Sequence, residues 1–295
     1  MSNGDARVRR IATSCALAAI ALWGGLAWLG VRLAAVPPFL LVGSALTIVG
    51  VLALPTVRQW RVRPIVMALG IYGLFGFHFF LFIALRLAPP LPANLVNYLW
   101  PLFIVLFAPL FVGARLTRWH VAGAVLGFAG AVIAIGNGHF PSFGSASADG
   151  PRALWGYAAA LTSAFIWATY SLMGQRLRRR GIDYPTAAIG AFCLASGLLA
   201  LGCHAALEPT YAFKASDWLP LAVMAIGPMG AAFFLWDAAL ARGDARTIGT
   251  LAYLTPLVST ILLGLDDPSR FGWPIVVALV LVVGGAVIGT RGGAR

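Results

Sequence analysis

The stretch PIVMALGIYGLFGFHFFLFIAL, from Pro64 to Leu85, holds no charged side chain and is closed by Arg63 on one side and Arg86 on the other. A bilayer's hydrocarbon core takes about 20 helical residues to cross. The stretch has that length and shows no apolar–polar alternation, and in lipid only helices and closed barrels satisfy their backbone groups. It reads as a transmembrane helix. Outward from it the pattern recurs, with apolar runs near 11–33, 38–55, 64–85, 92–112, 119–136, 153–174, 185–206, 218–240, 246–264 and 272–290, separated by basic or Pro/Gly-rich breaks. The sequence therefore predicts an all-α integral membrane protein of ten transmembrane helices.

Composition agrees. Of 295 residues 60% are hydrophobic and 10% charged, with a mean hydropathy of +0.89, whereas an ordinary soluble domain carries about 25% charged residues. The net charge of +12 does not mark a nucleic-acid binder, because the basic residues fall in short breaks between apolar runs and not on one face. Cys15, Cys193 and Cys203 all lie in apolar runs, an odd set that argues for packing over disulfides. Arg7, Arg9 and Arg10 before an apolar run resemble the start of a signal peptide, but the run continues to about Leu33 and more follow, so it reads as an uncleaved first helix.

The basic residues set the orientation. With the N-terminus inside, the inner segments hold Arg7, Arg9, Arg10, Arg58, Arg61, Arg63, Arg115, Arg118, Arg176, Arg178, Arg179, Arg180, Arg242, Arg246, Arg291 and Arg295. The outer segments hold Arg32, Arg86, Arg152, Lys214 and Arg270, one per loop. Sixteen of 21 inside is the asymmetry that the positive-inside rule requires. Both termini are expected in the cytoplasm.

The halves repeat. Ala16-Leu17 and Trp23 return as Ala160-Leu161 and Trp167, then Pro38, Gly43 and Gly50 as Pro185, Gly190 and Gly197. Phe79-Phe80-Leu81 returns as Phe233-Phe234-Leu235, Tyr98-Leu99-Trp100-Pro101-Leu102 as Tyr253-Leu254-Thr255-Pro256-Leu257, and Gly130-Ala131-Val132-Ile133 as Gly285-Ala286-Val287-Ile288. The order is colinear and the offset drifts slowly. A unit of five helices is odd, so its second copy must enter the membrane inverted, the architecture of many secondary transporters. The expected organisation is a first repeat over 1–136, a flexible Gly/Ser-rich outer linker over 137–152, and a second repeat over 153–295.

Trp23-Gly24, Ala84-Leu85, the Tyr98–Pro101 stretch and Gly123, Gly127 and Gly130 together resemble the ten-helix drug/metabolite transporter superfamily of EamA-type exporters, over nearly the whole chain. Trp236-Asp237-Ala238-Ala239-Leu240-Ala241-Arg242-Gly243-Asp244 resembles its aromatic amino-acid exporter branch. The resemblance implies export of aromatic and other neutral amino acids, with related metabolites, across a bacterial cytoplasmic membrane. The chain departs from the pattern at Gly113-Ala114-Arg115, where the family places a Glu; no role of that Glu carries over.

Polar side chains inside spans are costly and so are candidate site residues. His78 lies mid-helix and reads either as a ligand-binding or proton-relaying group or as a buried His bonded to a backbone carbonyl. Asn94, Asn97, Tyr98 and Trp100 precede Pro101, which frees a carbonyl one turn earlier, and Tyr253 repeats the arrangement before Pro256. Trp23 and Trp167 lie half-way along their runs, away from the interfacial belt, and Ser163, Trp167, Tyr170 and Ser171 share a face. An aromatic cavity suits flat or cationic molecules. The expected substrate-binding set is Trp23, His78, Asn97, Tyr98, Trp100, Trp167, Tyr170 and Tyr253. Asp237, close to Arg242, reads as an ion pair or as a gate or coupling carboxylate.

Other classes fit less well. An intramembrane enzyme would need a nucleophile with its base, a metal cluster or paired acids; the sequence offers none, and His120, His139 and His204 sit at different span ends from His78. A multidrug or cationic-metabolite efflux transporter of the same fold is the main alternative. No cofactor or metal is expected; the partners are a small-molecule substrate and lipid, with no nucleic acid, and the chain is expected to act as a monomer.

Overall fold

A computed structural model describes residues 3–136, 146–266 and 272–291. His139, Arg270, Arg295 and residues 137–145 of the expected linker lie outside the described residues. Every regular element among those described is helical: α1 Asn3–Gly24, α2 Leu26–Arg32, α3 Pro38–Leu52, α4 Pro64–Ile71, α5 Phe77–Leu87, α6 Pro90–Asn97, α7 Trp100–Val112, α8 Arg118–Gly136, α9 Ala146–Arg179, α10 Ile189–Leu207, α11 Ala215–Ile226, α12 Ala232–Arg242, α13 Ala245–Leu251, α14 Leu254–Asp266 and α15 Trp273–Arg291. Among the described residues seven helical segments are long and apolar enough to cross a membrane, or eight if the bent pair Pro38–Leu52 and Leu54–Trp60 forms one span. The chain is thus a multi-pass membrane protein.

Several of the apolar runs are interrupted, each for a local reason. After α3 a 3-10 segment, Leu54–Trp60, turns off by 82° where Pro55 ends the α-helical ladder. The α6–α7 run breaks at Tyr98 and Leu99, just before Pro101, and α13–α14 breaks at Ala252 and Tyr253, just before Pro256. Between α4 and α5 lies one π-helical turn, Tyr72–Gly76, and between α11 and α12 lies another, Gly227–Ala231. In the other direction, α9 begins at Ala146, so the last part of the expected flexible linker is helical.

Packing pairs elements of the two halves. α3 lies along α10 and α8 along α15, while α9 packs on α5 and α7 and α12 packs on α1. Small residues allow the approach, as they do wherever lipid supplies no hydrophobic drive between helices. A Cβ on Gly123 would lie 2.5 Å from the carbonyl oxygen of Gly285, and one on Gly50 would lie 2.5 Å from Leu194 Cβ.

Two ends can be told apart. At one, the buried Glu208 carboxylate accepts from the backbone N–H groups of Phe39 (3.0 Å) and Leu40 (3.2 Å), capping α3, and from Arg86 (2.7 Å). At the other, Trp60 lies against Gly190, Arg179 donates to the Val112 carbonyl and Arg246 to the Arg115 carbonyl. These are the Arg86 end and the Arg178 end below.

Candidate functional site

Four helices bring their tryptophans together near mid-span. Trp23, Trp100, Trp167 and Trp236 pack edge-on or tilted with ring centroids 5.1–6.3 Å apart, and Phe233 joins them from α12. Edge-to-face contacts set the positive rim of one ring on the negative face of the next. This layer is a floor. On its Arg86 side a cavity of about 560 Å³ extends past Ala27, Gly30, Leu85 and Pro90 to that end of the molecule.

The two π turns aim side chains at this floor. A π turn widens the helix by one residue and disturbs its hydrogen-bond ladder. His78 places Nδ1 2.6 Å from the Leu74 carbonyl in the first turn, and Trp23 donates its indole N–H to the Pro228 carbonyl in the second at 3.0 Å. A carbonyl only accepts, so Nδ1 of His78 carries the hydrogen and Nε2 is the nitrogen left for a ligand. His78 therefore has both the backbone bond and the cavity position that the sequence left as alternatives.

The cavity wall is mostly apolar with a few polar groups, the usual make-up of a small-molecule site. Of the expected residues, Trp23, His78, Asn97, Tyr98, Trp100 and Trp167 line it, as does Asn94. Asn97 Oδ1 lies 3.1 Å from the Ser163 hydroxyl, which has the Phe77 carbonyl at 3.0 Å. No Asp, Glu, Lys or Arg lines the cavity among the described residues.

Tyr170, Tyr253 and Asp237 do not line it. Tyr170 lies on the other side of the floor, tilted against Trp167 at 5.4 Å. Tyr253 is fully buried against Gly127, where a Cβ would come within 2.5 Å of its ring. Ser171 accepts from the Trp236 indole at 3.1 Å in the same deeper layer as Tyr170.

Asp237 forms its ion pair with Arg178, not with its sequence neighbour Arg242, whose guanidinium donates to the Ala238 carbonyl. Arg178 Nη2 donates to both Asp237 oxygens at 2.8 Å, Thr186 donates at 2.8 Å, and the Tyr184 hydroxyl approaches at 3.5 Å. The Arg178 guanidinium also covers the Tyr184 ring at 3.9 Å. Burial, reinforced by the Asp237 charge, pushes the Tyr184 hydroxyl above its ordinary value, so it remains a donor. Gln175 adds bonds to the carbonyls of Leu240 (2.9 Å) and Gly243 (2.8 Å). Nearby, burial works to raise Asp244, but the Arg246 side chain and backbone N–H outweigh it and hold the carboxyl below its usual range.

Sequence reading did not single out Thr255, Ser259, Phe233 or Met229 in the wall, nor Arg178, Tyr184 and Thr186 around Asp237. A signal existed for Thr255, which occupies the repeat position of Trp100, and for Ser259, one helical turn further on.

The EamA-like transporter family matches residues 10–136 and 154–290. An aromatic amino acid exporter, YddG, of Ancylobacter novellus is 42% identical over 293 residues, covering 96% of this chain and 98% of that protein. The exporter of the same name from Salmonella typhimurium is 28% identical over 198 residues, 66% of this chain and 65% of its own length. One solved crystal structure superposes with a TM-score of 0.87 at 40% identity, covering 96% of this chain and 99% of the other.

Proposed function

We propose, from the premise that the chain belongs to the EamA-like transporter family, that it exports aromatic and other neutral amino acids across the bacterial cytoplasmic membrane by alternating access. The observation that carries this reading is the aromatic, uncharged cavity ending on a tryptophan floor. A formal charge enclosed there without a counter-charge would lose its hydration uncompensated, whereas a zwitterion brings its own. Trp23, Trp100 and Trp167 offer stacking faces for a flat side chain, and His78 Nε2 with Asn97 and Tyr98 offers hydrogen bonds to the amino-acid head. The name of the Ancylobacter novellus relative, an aromatic amino acid exporter, supports the substrate class. Tyr170 and Tyr253 act in this reading by backing the wall.

The architecture belongs to the same proposal: ten spans as two inverted five-helix repeats, 1–136 and 153–295, joined outside by 137–152, with both termini cytoplasmic. The π turns support it, since Tyr72–Gly76 and Gly227–Ala231 occupy equivalent places in the two halves. So do the breaks before Pro101 and Pro256 and the two segments matched by one family. The basic asymmetry supports an inner Arg178 end, and with it a cavity that faces outward.

The test is flux of labelled phenylalanine, threonine and methionine into liposomes holding the purified protein, with and without a pH gradient. Saturable flux is expected. No amino-acid flux through folded protein, with transport of aromatic cations instead, would replace this reading by the multidrug one.

A further inference from the structure

Inverted repeats make a specific geometric demand. α9 is the repeat counterpart of α1, and α12 that of α5, from the pairs Trp167/Trp23 and Phe233/Phe79. At the Arg86 end α2, which continues α1, and α5 stand apart with the cavity between them, lined by Ala27 and Gly30 on one side and Leu81 and Leu85 on the other. At the Arg178 end their counterparts α9 and α12 are drawn together. Elsewhere each packs mainly on other helices, α9 on α5 and α7, and α12 on α1. The bonds from Arg178 and Gln175 to Asp237, Leu240 and Gly243 thus join two groups of helices.

We infer that the Arg178–Asp237 pair, with Thr186 and Tyr184, is the inner latch of the transport cycle, and that the lack of an outer equivalent sets the resting state outward-facing. At the offsets of their helices, Arg178 corresponds to Ala34 and Asp237 to Ile83. When α1 and α5 close over a bound substrate, apolar side chains meet where the inner end has a buried, four-membered polar cluster. Separating the inner end removes hydrogen bonds from an Asp that is 5% exposed, whereas Ala34 and Ile83, at the corresponding outer positions, carry no side-chain donor or acceptor. A difference in bonds between two conformations is a bias in their populations. Of the other acids near this end, Asp244 is committed to Arg246 and Asp183 is exposed on the loop before Tyr184.

This inference rests on alternating access but not on the identity of the substrate, and the experiment keeps the two apart. In protein with Cys15, Cys193 and Cys203 replaced by Ala, single cysteines are placed at Ala27, in the outer mouth, and at Ser171, beneath the floor. Labelling by a membrane-impermeant maleimide is measured in vesicles of known sidedness without substrate. With the pair intact, Ala27→Cys reacts from outside and Ser171→Cys resists reagent from inside. With Asp237→Asn, the expected result is labelling of Ser171→Cys about tenfold faster, as the inward-facing population rises, and labelling of Ala27→Cys slower in proportion to the outward-facing population lost. Thr186→Val, a milder change that removes one bond, moves both rates in the same direction and covers the case in which Asp237→Asn fails to fold. The exchange Arg178→Asp with Asp237→Arg restores the original rates in part, which loss of packing alone would not. Unchanged rates in folded Asp237→Asn and Thr186→Val protein would overturn the latch. A shift in labelling with no amino-acid flux would keep the latch and overturn the substrate.

Discussion

The α6–α7 and α13–α14 helices share a backbone device and use it for different ends. Both break two residues long, just ahead of a proline, and both carry a tyrosine there. In the first, Tyr98 lines the cavity and Trp100 builds the aromatic floor. In the second, Tyr253 turns away and packs on Gly127 of α8, and Thr255 stands where Trp100 would be. A duplicated fold preserves backbone geometry through the need to pair its helices, while a single substrate needs only one aromatic wall. Symmetry in such a chain is therefore evidence about architecture, and departure from symmetry is evidence about chemistry.

Substitutions can break that contrast, and the largest effect belongs to its packing side. Gly127→Leu drives a branched side chain into the Tyr253 ring and parts α8 from α14; no monodisperse protein is expected on size-exclusion chromatography. Tyr253→Ala leaves a cavity in place of a fully buried ring, at a cost of about 3–5 kcal/mol by analogy with other aromatic truncations, read as a lowered melting temperature in detergent. Normal melting with lost flux would put Tyr253 on the binding side instead.

On the cavity side the order reverses. Tyr98→Ala and His78→Ala are expected to cut amino-acid flux at least about tenfold, the effect of one lost charge-assisted hydrogen bond or stacking contact, with melting little changed. Wild-type flux in both would remove the proposed site. The smallest effect is expected at Thr255, whose buried Oγ1 has no hydrogen-bond partner. Thr255→Val replaces it with a methyl group of similar shape and is expected to leave stability equal or about 1 kcal/mol higher, with flux retained. A strong loss of flux would instead identify the hydroxyl as a substrate contact.

The multi-pass helical character was legible because lipid permits so few backbone solutions and the apolar runs are punctuated by arginine. The breaks at Tyr98 and Tyr253 were legible too, through Pro101 and Pro256. The π turns were not, since Gly73 and Gly76 are compatible with any close helix crossing. Within the candidate site, Trp23 and Trp167 stood out because mid-span tryptophans do not belong at an interface. The partner of Asp237 was hidden: Arg242 is five residues away along the chain, but Arg178 is 59. Pairings of that kind follow from tertiary folding and leave no local pattern. Repeat symmetry misplaced Tyr253 in the cavity for the opposite reason, since it transfers position faithfully and side-chain direction poorly.

The π turns carry a consequence for how this chain tolerates change in length. A single-residue deletion inside a membrane helix ordinarily swings every later side chain by about 100° and ruins the packing. Inside Gly227–Ala231 the same deletion would leave a regular α-helix, because the widened turn already holds one residue more than an α turn, so α12 would keep its phase against α11. Phe233 would stay at the aromatic floor and Asp237 would still face Arg178. Two short windows in mid-span thus tolerate the loss of one residue that would re-aim a wall anywhere else in their helices.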